Sequence, residues 1–155
     1  MRRNIVLLGV GLAFALSWLW MDRAGAAGLA AEMESALAGS KYVYIASTRK
    51  DGSLGKPAEI WFMYHGGAVW VASPATTWRA QRIRAGRPAA KIWVGKPDGP
   101  SFTARGSFVH DPEVQRAMFE TFAKKYPEGW GQYEKVFGEE LGSGKRLMIK
   151  YEPAD

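Results

Sequence analysis

Between Tyr42 and Tyr151 short runs rich in aromatic and β-branched residues alternate with turn signals, and this punctuation points to a mainly β domain carrying a few helices. The first run, Tyr42-Val43-Tyr44-Ile45-Ala46-Ser47-Thr48, closes at Lys50-Asp51-Gly52. A second arm is expected from Pro57 to Tyr64, with Gly66-Gly67 as a tight turn into a third strand at Ala68 to Ala72. Ala89 to Val94 and Ser101 to His110 flank the turn Pro97-Asp98-Gly99-Pro100, and Lys145 to Tyr151 closes the set at about six strands. Helices are expected where Leu29, Met33 and Leu37 recur ahead of Gly39, and where Trp78, Ala80 and Ile83 precede Gly86. Asp111-Pro112-Glu113 combines a cap, a first-turn proline and a first-turn acid, opening a helix to about Lys125, and a last helical piece lies near Trp130 to Phe137. With 155 residues, one domain and one core is the expectation.

Charge is distributed unevenly along this frame. From Ile60 to Pro97 there is no Asp or Glu, yet Arg79, Arg82, Arg84, Arg87, Lys91 and Lys96 follow the hydroxyl-rich turn Ser73-Pro74-Ala75-Thr76-Thr77. A solvated surface ordinarily mixes both signs, so an acid-free basic segment suits an anionic ligand. The net charge is +6, and it falls to +4 without Arg2, Arg3, Asp22 and Arg23. That surplus is small for a general nucleic-acid binder and favours a small phosphate-bearing ligand over a polyanion.

Arg2 and Arg3 precede an uncharged run from Asn4 to Met21, followed by Asp22-Arg23-Ala24-Gly25-Ala26-Ala27. Residues 1–26 therefore read as a signal peptide, cleaved after Ala26, or as an uncleaved membrane anchor, with residues 27–155 as the folded domain. Either reading places that domain outside the cytoplasm, in the periplasm or on the outer side of the membrane. The paired arginines also fit a twin-arginine signal.

A phosphate site needs convergent donors. Ser73 and Thr77 offer hydroxyls at an expected helix start, and Arg79 offers charge and a planar fork of donors. The bland alternative is a capped, solvated helix. Trp61, Phe62, Trp70 and Trp93 sit on expected strands, where filling a core is the simplest role; alternatively Ile60, Trp61 and Phe62 border a flat ring whose phosphate tail reaches Ser73 to Arg79. His65 and His110 are too few for a three-histidine metal site, and cysteine is absent. The chain has no G-x-S-x-G elbow, P-loop or His-Glu-x-x-His, and Glu59 on a strand is expected to face solvent or pair with a base.

Three stretches resemble the FMN-binding split-barrel family, the pyridoxamine 5′-phosphate oxidase-like proteins: Tyr44 to Gly52, Lys56 to Phe62, and Val71-Ala72-Ser73-Pro74-Ala75-Thr76-Thr77-Trp78-Arg79. Gly106 to Pro112 resembles the family's later strand-to-helix junction. The resemblance implies an α+β, mainly β fold, a six-stranded antiparallel split barrel with short flanking helices. It implies FMN as cofactor, with Arg79 on the flavin phosphate, Ser73 and Thr77 assisting, and Ile60, Trp61 and Phe62 along the isoalloxazine. It further implies a homodimer with flavin sites at the subunit interface and chemistry of oxidoreductase type. Relatives of this fold also bind deazaflavin F420 or haem, and a non-catalytic binding module on the same barrel is the alternative.

Overall fold

A computed structural model describes residues 29–154. The expected signal or anchor segment, residues 1–26, lies outside the described residues. Among the described residues no helix is long and apolar enough to cross a membrane.

The elements run α1 (Ala31–Gly39), β1 (Val43–Ser47), β2 (Ala58–Ile60), β3 (Met63–His65), β4 (Ala68–Pro74), α2 (Trp78–Arg84), β5 (Ala89–Val94), β6 (Ser101–Phe108), α3 (Pro112–Lys125), α4 (Pro127–Ser143) and β7 (Arg146–Pro153). All seven strands form one antiparallel sheet in the order β2-β1-β5-β6-β7-β4-β3. The expected count of six is corrected to seven, because the arm expected from Pro57 to Tyr64 is two strands. β2 pairs with β1, whereas β3 pairs with β4 at the opposite edge.

That switch forces the sheet to curl. Seven flat strands would hold their edges roughly 29 Å apart at the usual interstrand spacing. Only Trp61 and Phe62 separate β2 from β3, and three Cα steps reach at most about 11 Å. The two edges must therefore approach each other at this crossover.

Curling makes two apolar cores. The inner one gathers Val43 and Ile45 of β1, Val69 and Val71 of β4, Ile92 and Val94 of β5, Ile149 and Tyr151 of β7, and Phe62 from the crossover. The outer one lies where α3 and α4 cover β4, and contains Trp70, Met118, Phe122, Tyr126, Trp130 and Met148. β4 is therefore buried on both faces, its odd-numbered valines turned inward and Trp70 turned outward. The Tyr126 hydroxyl locks the crossover by accepting the Phe62 N–H at 3.0 Å and donating to the Lys41 carbonyl at 2.7 Å.

α3 begins as its sequence suggests, with Asp111 Oδ1 accepting from the N–H groups of Glu113 and Val114 at 2.9 and 3.2 Å. α4 is longer than the expected short piece. Gly129 lets it approach the crossover, since a Cβ there would lie 3.0 Å from the Trp61 ring.

Candidate functional site: a cationic cleft beside α2

β4 delivers Ser73 and Pro74 to the end of the curled sheet, and a tight turn then opens α2. Thr77 sits at the cap position, but its hydroxyl donates to the Pro74 carbonyl at 2.9 Å and caps no α2 N–H. Ala80 is buried and Ile83 packs on the inner core, which fixes the helix rotation. Arg79 and Arg82, three residues apart, then share a face and line one cleft.

This cleft measures about 590 Å³, within the usual size range of small-molecule sites. Besides Arg79 and Arg82 its walls carry Arg49, Lys56, Thr77 and Trp78. No carboxylate lines it, and none of the four cations forms an ion pair among the described residues. Neutral oxygens hold three of them in place. Arg82 Nη1 donates to the Ser47 carbonyl and hydroxyl, both at 2.8 Å, Arg49 Nη1 donates to the Leu54 carbonyl at 2.6 Å, and Arg79 Nη1 donates to Ser73 Oγ at 2.7 Å. Such contacts orient a guanidinium without neutralising it, leaving positive potential in the cleft.

Gly55 belongs to this construction. A Cβ there would fall 2.7 Å from Arg82 Nη1 and 3.2 Å from the Ser47 carbonyl oxygen, so the bare backbone makes room for the guanidinium. Arg79 has its pKa drawn below the usual arginine value by burial, and the neighbouring Tyr151 opposes that shift. Tyr151 itself is pushed up to about 12, chiefly by burial, and its buried hydroxyl has no hydrogen-bond partner among the described residues.

The expected site residues divide into two groups. Ser73, Thr77 and Arg79 come together: Ser73 Oγ and Thr77 Oγ1 are 3.5 Å apart, and Arg79 bonds to the former. Ser73 is 1% exposed and lies behind Arg79, so it positions that side chain. Ile60, Trp61 and Phe62 lie elsewhere. Ile60 packs on the inner core, Phe62 is 0% exposed within it, and Trp61 stacks on Tyr126 with ring centroids 4.4 Å apart. The aromatic at the cleft is instead Trp78, 70% exposed, with the Arg82 guanidinium 5.8 Å from its ring centroid.

Arg49 and Lys56 were not singled out by sequence, and Arg82 entered only as one member of the acid-free basic segment. Asp51 and Glu59 follow the first two closely and mask them; neither lines the cleft, although Asp51, its carboxyl pKa lowered chiefly by hydrogen bonds from Ser53, stays near enough to Arg49 for that charge to help. Asp51 accepts from Ser53, and Glu59 accepts from the Tyr44 hydroxyl.

No protein-family model and no curated protein matches the chain. Solved structures do match its fold. A Listeria innocua protein named for pyridoxamine 5′-phosphate oxidase aligns with TM-score 0.57 and 16% identity, over 80% of this chain and 92% of its own. HutZ, the haem storage protein of Vibrio cholerae, aligns with TM-score 0.57 and 13% identity over 83% of this chain and 92% of its own. A protein named F420 reductase aligns with TM-score 0.50 and 21% identity over 79% of this chain and 93% of its own. With its curled antiparallel sheet and flanking helices, the chain has the split-barrel fold of the pyridoxamine 5′-phosphate oxidase-like proteins.

Proposed function

We propose that the cleft beside α2 binds the phosphate of a planar redox cofactor, FMN in the first place, and that the protein is an oxidoreductase of the pyridoxamine 5′-phosphate oxidase-like type. The observation that carries this reading is the set of four cations, Arg49, Lys56, Arg79 and Arg82, lining one cleft without a carboxylate. Arg79, held by Ser73, would grip the phosphate, with Arg82, Lys56 and Arg49 completing the positive field and Thr77 at its edge. Trp78 offers a flat apolar surface at the same cleft. Bound FMN would supply hydride or single-electron transfer, while these residues bind and orient it.

The donor set distinguishes among the cofactors found with this fold. A phosphate or phosphodiester suits guanidinium groups, so F420 is the second choice. Haem iron needs an axial ligand, and among the described residues of one protomer no His, Met, Cys or Tyr lines this cleft. A binding module without turnover would use the same donors, and reduction of the bound flavin by a nicotinamide donor separates that reading from an enzyme. The apolar run from Asn4 to Met21 supports placement outside the cytoplasm. A homodimer completing the site is part of the same proposal, read from the mass in solution.

Titration of the full chain with FMN and with riboflavin, followed by flavin fluorescence, tests the reading. FMN is expected to bind at least tenfold more tightly, since one charge-assisted contact contributes about 1.5–3 kcal/mol. Equal affinities, or no binding of FMN or F420, would overturn it.

A further inference from the structure

A second cleft, of about 430 Å³, lies between the C-terminal end of α1, β3 and the last turns of α3, and shares no lining residue with the cationic cleft. Its walls include Gly39, Ser40, Lys41, Tyr64, Thr121 and Lys125. Lys125 is the unusual member. Its ammonium lies 3.3 Å from the centroid of the Phe62 ring and 3.4 Å from the Phe62 carbonyl oxygen, and it has no ion pair among the described residues.

The other titratable groups around it are occupied. The Tyr64 hydroxyl donates to Glu34 at 2.7 Å, Lys41 pairs with Glu128 at 3.7 Å, and the Tyr126 hydroxyl is bonded to backbone. No carboxylate therefore holds Lys125 as a cation. Burial draws its pKa down to about 8, while the Phe62 ring face attracts the ammonium and acts in the opposite sense. At pH 7.5 a lysine at about 8 carries roughly a hundredfold more free amine than an ordinary one near 10.4.

We propose that Lys125 is a nucleophilic amine that condenses with a small carbonyl compound, an aldehyde or 2-oxo acid, admitted to this cleft. The amine nitrogen attacks the carbonyl carbon, a C–N bond forms, and both amine protons leave with the carbonyl oxygen as water. The product is an imine, and no oxidant or reductant takes part. The cleft, at about 430 Å³, limits the carbonyl compound to a small one.

Glyoxylate serves as the probe. The full chain is incubated with glyoxylate and cyanoborohydride at pH 7.5, which reduces any imine to a stable carboxymethyl adduct, and each lysine is read by peptide mass spectrometry. Lys125 is expected to label about tenfold faster than the exposed Lys135, with a rate that rises through a midpoint near pH 8. A Cβ at Gly39 would meet nothing within 4 Å, so Gly39→Phe adds bulk to the wall of this cleft without a clash at its first carbon. That variant should slow labelling of Lys125 severalfold and leave Lys135 unchanged. Equal rates at the two lysines, a midpoint near pH 10, or insensitivity to Gly39→Phe in a variant with native circular dichroism would each overturn the proposal.

Discussion

At the scale of single residues, the cleft depends on glycine as much as on arginine. Gly106 on β6 faces the inner core, where a Cβ would lie 2.7 Å from Tyr151 Cε1 and 2.8 Å from Ile83 Cδ1. Tyr151 sits beside Arg79, and Ile83 anchors α2, so this one missing side chain lets the helix that bears Arg79 and Arg82 sit against the sheet. Replacing Gly by Ala tends to stabilise by about 0.4–1 kcal/mol through the unfolded chain, but overpacking a core costs about 1–3 kcal/mol. Gly106→Ala should therefore destabilise the fold by a net of about 1 kcal/mol, read as a lower thermal midpoint, and also weaken ligand binding in the cleft through displacement of α2. An unchanged midpoint would mean that Tyr151 and Ile83 yield without cost. Gly106 gave no sign of this role in the sequence, because its neighbours across the sheet and on α2 are distant along the chain.

At the scale of elements, the decisive segment is the Trp61-Phe62 crossover. Strands were legible where local chemistry settles them. Gly66 and Gly67 adopt φ of 58° and 74°, which only glycine does freely, and the turn between β3 and β4 falls there as read. The strand read from Ala89 to Val94 is β5 with the same bounds, and folding buries its alternate residues. The division of the 57–64 arm was not legible, because Ile60-Trp61-Phe62-Met63 is apolar throughout and carries no change of period where the chain leaves one sheet edge for the other. The glycines of α4 hid the full length of the helix expected near Trp130 to Phe137, although Trp130, Phe137 and Leu141 form its apolar stripe. Phe62 fills the inner core and Trp61 the outer, so the crossover fastens both. Phe62→Ala should cost about 3–5 kcal/mol, measured by denaturant unfolding. A loss below about 1 kcal/mol would show that the sheet curls without this plug.

At the scale of the whole molecule, the candidate site exists only after folding, since Arg49 and Lys56 come from the loop after β1 whereas Arg79 and Arg82 come from α2. The acid-free segment contained half of this set in readable form, and the other half was obscured by Asp51, which is engaged within its own turn, and by Glu59, which is engaged across the sheet by Tyr44. Burial also governs the response to pH. Tyr64 and Tyr151 are both pushed up to about 12 by burial, and Tyr126 is raised as well. A tyrosine whose pKa is raised in the folded state stabilises it fully below the unfolded value of about 10, and that contribution is lost as pH climbs toward 12. Stability should therefore fall steadily between pH 10 and 12, as thermal melts at fixed ionic strength would reveal, and a flat profile across that window would contradict the burial of these hydroxyls. The central claim is that the cleft holds a phosphate through Arg79. Its most direct test is the ratio of FMN to riboflavin affinity in the native protein and in Arg79→Ala. The account predicts that the substitution weakens FMN by about tenfold to a hundredfold and riboflavin hardly at all, collapsing the ratio; an equal loss for both ligands would contradict it.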